Sequence, residues 1–209
     1  MAYDLEEQEQ IDAIKAWWKQ NGNTVLLSVA VFVAIVAGIQ GWRAYQHKQA
    51  GQAAGLYEVL QGAADSHDVT KVREAAGQLI ENFPRTAYAT HAALVAANAN
   101  YESGDAKSAK AQLQWVLDHN DSDEVRDVAR LRLAGILLDE KNYGEALKQL
   151  ETKHGTAFDG LYADLKGDVL LASGKEGEAQ ASYKLALEKI DPTSAYRGLV
   201  QMKLDGLGG

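Results

Sequence analysis

Five histidines, a set of paired carboxylates and a few serines are the side chains of this chain that could do chemistry. Metal binding on a helix needs imidazole or carboxylate ligands one turn apart. His47, His67, His91, His119 and His154 stand at least 20 residues apart, and no helix read from the sequence carries a Glu-x-x-His or His-x-x-x-His pair. There is no cysteine, so disulfides and thiolate metal sites are excluded. Ser28 falls in an apolar run and Ser103 and Ser173 fall in turns, without a histidine and an acid that the sequence places beside them. Asp164 and Asp168 can share one helix face, but acids four apart on a solvated helix are ordinary. Gly104-Asp105 and Gly174-Lys175 read as helix-hairpin turns rather than phosphate loops, because no strand precedes them. No catalytic residue, metal or cofactor is implied, and the reading is of a protein that is not an enzyme.

The elements that carry these residues are organised around Val25 to Ile39, fifteen residues of which only Ser28 and Gly38 are not plainly apolar. With its uncharged flanks the segment reaches about 20 residues, which at ~1.5 Å per residue matches a ~30 Å hydrocarbon core. Trp17 and Trp18 on one side and Trp42 and Tyr45 on the other would sit at the two headgroup regions. The preceding stretch is long and acidic and no small-residue cleavage site follows, so a retained anchor is expected rather than an export signal. Ala30, Ala34, Ala37, Gly38 and Gly41 put small side chains on one face, where a second membrane helix could approach closely. Lys15 and Lys19 balance Arg43 and Lys48, so charge alone leaves the orientation tied.

Three regions follow: an acidic amphipathic tail (1–22), a transmembrane helix (23–47) and a folded domain (48–209). In the tail, Asp4 and Glu7 read as a capping start, and Ile11, Ile14 and Trp18 recur at helical spacing, which suits a helix lying on a membrane surface. Asn21-Gly22-Asn23 reads as a break before the spanning helix. Residues 50–209 carry a formal charge of −7 within the net −8, which does not suit a nucleic-acid binder.

With two prolines, abundant alanine and no β-branched alternation outside the anchor, the chain is expected to be all-α. Gln52–Ala64 and Asp68–Asn82 read as a first hairpin. In the next three, a small residue precedes an alanine by twelve positions: Ala97 and Ala109, Ala134 and Ala146, Gly167 and Ala179. A large residue follows each alanine four positions on, at Leu113, Leu150 and Tyr183. With Ala76 counted in, the alanines recur at 33, 37 and 33 residues. Paired small residues let two helices approach closely, and stacked hairpins of this kind form a solenoid. The spacing resembles the tetratricopeptide repeat (TPR), although the early aromatic of the first helix is missing (Ala93, Arg130, Ala163). A final helix, about Thr193 to Asp205, should cap the array.

In such an array the first helices line the concave side. His91, Leu94, Asn98 and Tyr101, then Leu131 and Leu138, then Leu161, Asp164, Asp168 and Leu171 would form a mildly apolar, uncharged-to-acidic groove suited to polypeptide segments. No basic cluster is expected in it.

The block EEQEQIDAIKAWWKQNG at Glu6 to Gly22, GWRAYQ at Gly41 to Gln46, the hairpins and the terminal QMKLDGL at Gln201 to Leu207 together resemble the YfgM family, TPR-like ancillary subunits of the bacterial SecYEG translocon. The resemblance covers essentially the whole chain. It implies an inner-membrane protein with a cytoplasmic tail and a periplasmic domain. The partners it implies are SecYEG and PpiD, a membrane-anchored periplasmic chaperone of the peptidyl-prolyl isomerase type. The expected function is to assist or hand on emerging secretory polypeptides. Two alternatives are an adaptor that binds PpiD but no clients, and a stress-response regulator acting through the cytoplasmic tail.

Overall fold

With two prolines in 209 residues little interrupts a helix. In the computed structural model, which describes the backbone of residues 2–208 and the side chains of residues 7–208, the described residues form nine α-helices and one short 3₁₀ turn. The helices are α1 (Ala2–Asp65), α2 (Val69–Asn82), α3 (Ala87–Glu102), α4 (Ala106–His119), α5 (Asp123–Asp139), α6 (Tyr143–Leu150), α7 (Asp159–Ala172), α8 (Glu176–Lys189) and α9 (Tyr196–Asp205). The 3₁₀ turn, Thr156–Phe158, precedes α7. The chain divides into two units, residues 1–49 and 50–209.

The first unit is helical along its described length. Leu26, Leu27, Val29, Val31, Phe32, Val33, Ile35 and Ile39 are all exposed around the helix, and only 6 % of its most apolar 18-residue window is buried. A core helix of a soluble protein would hide that surface, so the exposure on every side marks a candidate membrane helix. The break expected at Asn21-Gly22-Asn23 does not occur. Asn21 donates its side-chain amide to the Trp17 carbonyl at 3.1 Å, and Gly22 lies beneath the Trp18 indole, whose Nε1 would be 3.2 Å from an added Cβ. The glycine serves close packing of the ring one turn back, not chain reversal. The capping start expected at Asp4 lies outside the described side chains.

The second unit is a row of antiparallel hairpins whose repeat is sharpest in its turns. His67, Gly104, Lys141 and Gly174 all take left-handed backbone conformations, at φ of 56°, 84°, 60° and 81°. At each, this residue's N–H bonds the carbonyl three back and the next N–H bonds the carbonyl five back, with N···O distances between 2.8 and 3.0 Å. That pairing satisfies the last carbonyls of the outgoing helix. Asp68 and Asp105 then cap α2 and α4 by accepting from the N–H groups of Lys71 and Ser108.

Counting from these turns corrects the repeat register. Ala109, Ala146 and Ala179 follow the left-handed residue by five positions, but in the first hairpin that place belongs to Val72. Ala76 stands instead with Leu113, Leu150 and Tyr183, nine positions after the turn. The first interval is therefore 37 residues rather than 33. Leu60 and Val72, both buried, occupy the places that are small elsewhere, while buried Ala76 occupies the large one. Ala76 thus offsets part of the volume that Leu60 and Val72 add between the helices.

Three apolar clusters run along the row. One joins residues 53–63 of α1 to α2 and α3, a central one joins α3 through α7, and a third joins α7, α8 and α9. Within the last, a Cβ added at Gly167 would lie 2.4 Å from Cε1 of Tyr183, so only glycine permits this crossing. The final helix is shorter than expected, because Thr193 closes a turn on Asp191 through its N–H (2.7 Å) and hydroxyl (2.6 Å).

Candidate functional site

On α3, His91, Leu94, Asn98 and Tyr101 follow spacings of three and four and fall on one stripe. The structure opens two neighbouring clefts along it. The larger, about 550 Å³, is walled by Ala64, His67, Val69 and Val72 on one side and by His91, Leu94, Val95, Asn98, Ala99 and Glu102 of α3 on the other, with Arg132 at its edge. The smaller, about 270 Å³, lies between α3 and α5 and is lined by Ala97, Asn98, Tyr101, Leu113, Arg132, Gly135, Ile136 and Asp139. Asn98 and Arg132 belong to both.

Several of these side chains are held in place. Tyr101 donates its hydroxyl to Asp139, and that hydrogen bond, with some desolvation, raises the phenol above its ordinary pKa. Asn98 donates to Glu102 Oε1 at 2.8 Å, and Arg132 donates from Nη1 to the Leu94 carbonyl at 3.2 Å. The His91 ring lies 6.4 Å from that of Tyr57.

Other residues expected in the groove lie elsewhere. Leu131 and Leu138 are half-buried against the central core. On α5 the stripe facing the cleft is Arg132, Gly135 and Asp139, turned roughly 80° around the helix from the two leucines at 100° per residue. The groove holds no basic cluster but is not free of positive charge, since Arg132 lines both clefts. The signal was available, since Arg132, Gly135 and Asp139 are themselves spaced by three and four.

Leu161 is exposed at the start of α7, and Leu171 is half-buried against the third cluster. Asp164 is 2 % exposed and lies 2.9 Å from Lys203 Nζ, with Tyr196 also donating to it. Asp168 accepts from Tyr183 at 2.8 Å and from Lys203 at 2.8 Å. Both acids are engaged by groups of α8 and α9 rather than directed into a cleft. Lys203 stands 39 and 35 positions after these two acids and left no sequence signal of the pairing.

A second polar cluster was not anticipated. Asp127 is fully buried, accepts from the Gly155 N–H at 2.9 Å and from Tyr162 at 3.3 Å, and pairs with Arg130 at 3.3 Å. Burial, then the charge of Asp127, pushes the Tyr162 phenol up. His154 stacks on Tyr162 with centroids 3.8 Å apart and sits 3.4 Å from Asp159. Glu151 and His154 do show the spacing of a ligand pair, but in the segment after α6 rather than on a helix. The cluster ties that segment to α5 and α7.

In the first unit, Ala30, Ala34, Ala37, Gly38 and Gly41 fall within an arc of about 100°. Nothing lies within 4 Å of a Cβ built at Gly38 or Gly41. Trp17 and Trp18, and Trp42 and Tyr45, flank the apolar segment as exposed aromatic pairs with centroids 6.5 and 5.9 Å apart.

A family profile described as a tetratricopeptide repeat-like domain matches residues 15–209. A protein of Neisseria gonorrhoeae named ancillary SecYEG translocon subunit is 33% identical over 99% of this chain and 100% of its own length. Proteins of the same name from Haemophilus influenzae and Escherichia coli are each 28% identical, the first over 99% of this chain and 100% of its own length, the second over 96% of both. Over nearly its whole length the chain belongs to the family of ancillary SecYEG translocon subunits, built on a tetratricopeptide repeat-like domain.

Proposed function

We propose that this protein is a single-pass inner-membrane subunit associated with SecYEG, with its N-terminus in the cytoplasm and residues 50–209 in the periplasm, where the clefts along α3 bind polypeptide partners. Ancillary translocon subunits are not an enzyme class, and the role assigned here is binding. The observation that carries the reading is the open surface of mixed apolar and polar side chains along α3, formed by a stripe that the fold leaves partly exposed. Partners of this chemistry include PpiD and emerging secretory chains. Tethering by the apolar helix raises the local concentration of the clefts near such chains, so weak binding gives useful occupancy. The exposed small-residue face from Ala30 to Gly41 is where a translocon helix would pack.

The test is photo-crosslinking in cells from a probe at Asn98, which lies on the wall of both clefts, with adducts identified by mass spectrometry. Adducts to translocon subunits, PpiD or varied secretory chains are expected. Diverse secretory chains would favour a chaperone role, and PpiD alone an adaptor. Adducts confined to cytosolic proteins would overturn the orientation and the function with it.

A further inference from the structure

We infer that the two clefts act as one track for an extended polypeptide segment carrying an acidic side chain between apolar residues, with Arg132 binding the carboxylate at the junction. The inference rests on the reading of the clefts as polypeptide-binding and specifies which segments they prefer. Of the arginines on α5, Arg126 and Arg130 pair with Asp123 and Asp127. Arg132 is exposed and, among the described residues, has no carboxylate partner; its one protein contact of this kind is from Nη1 to the Leu94 carbonyl. A guanidinium offers five donors in a planar fork matched to a carboxylate, so most of its capacity is open. The two acids of the lining, Glu102 and Asp139, accept from Asn98 and Tyr101 and form no ion pair with Arg132.

Apolar side chains flank the guanidinium on both sides. Partly exposed Val69, Leu94 and Val95 line the larger cleft, and the exposed Tyr101 ring lines the smaller. Because Arg132 and Asn98 line both, a chain bound at the junction continues in both directions. That geometry selects an internal segment over a chain terminus. Asn98 keeps its amide oxygen free to accept from the backbone of a crossing strand, since only its nitrogen is engaged.

The test uses the full chain in lipid nanodiscs and fluorescence anisotropy with three labelled peptides. One is apolar with a central aspartate, one has asparagine in its place, and one carries its only carboxylate at the C-terminus. The wild type should bind the aspartate peptide about tenfold more tightly than the asparagine peptide, the scale of one charge-assisted bidentate contact. Arg132→Gln should bind both like the wild type binds the asparagine peptide, and Arg132→Lys should keep part of the preference. Helical content measured on each variant separates a lost contact from a lost fold. Equal binding of the aspartate and asparagine peptides by the wild type would overturn the inference and leave the clefts as polypeptide sites. A preference surviving Arg132→Gln, or tightest binding of the terminal carboxylate, would overturn it too. If no peptide binds, the polypeptide reading of the clefts falls, and this inference with it.

Discussion

At the scale of single residues, Lys203 bridges two carboxylates of α7. Its ammonium joins Asp164, which is 2 % exposed, to Asp168. Burial alone would lower its pKa, but hydrogen bonds to Asp168 and Asp164 outweigh that and hold it above the ordinary lysine value. Burial, then hydrogen bonds to Asp168 and Asp164, raises the phenols of Tyr183 and Tyr196 as well. The folded chain therefore holds these protons more tightly than the unfolded chain does. Their contribution is complete below the unfolded pKa values of about 10 and is lost as pH rises toward the folded ones. The unfolding midpoint of the full chain should fall above about pH 10, and the combined Tyr183→Phe and Tyr196→Phe variant should show a shallower fall. A wild-type profile flat through that range would contradict the assignment. Lys203→Met leaves a buried carboxylate without its cation, and should cost roughly 3 kcal/mol in denaturant unfolding at neutral pH.

Among the elements, the hairpin turns carry the regularity of the fold. Gly104 and Gly174 sit where left-handed backbone is required, while Lys141 takes the same conformation at φ 60° with a side chain present. A residue with a Cβ there costs about 1 kcal/mol relative to glycine. Lys141→Gly should raise stability by about that amount, and Gly104→Ala should lower it similarly, both read by urea unfolding. A change of the same sign in both variants would mean that the shared geometry does not govern the two turns. Pairs such as Gly167 and Ala179 were legible because small residues at a fixed interval have one packing explanation. The first hairpin was misaligned by one turn because Val72 and Ala76 exchange sizes, and size alone was the marker.

For the molecule as a whole, the exposed apolar helix of the first unit sets where the protein resides. Replacing Val29 and Val33 together by aspartate places two charges near the middle of that segment, at roughly 2.5–3.5 kcal/mol each. The variant should be released from membranes by alkaline carbonate, whereas the unaltered chain should stay in the pellet. Retention of the variant would argue that something other than this helix holds the protein there.

The sequence by itself determined the all-helical class, the apolar segment, the later two hairpin intervals and the α3 stripe, since each follows from side-chain type repeated at short, regular spacing. Only the tertiary structure decided that Asp164 and Asp168 meet Lys203, that Leu131 and Leu138 turn into the core, and that Arg132 reaches the clefts. Those outcomes depend on how far each helix rotates about its own axis when it packs, and on partners many residues away. The same local spacing is compatible with more than one rotation, so contacts between helices settle which stripe faces out.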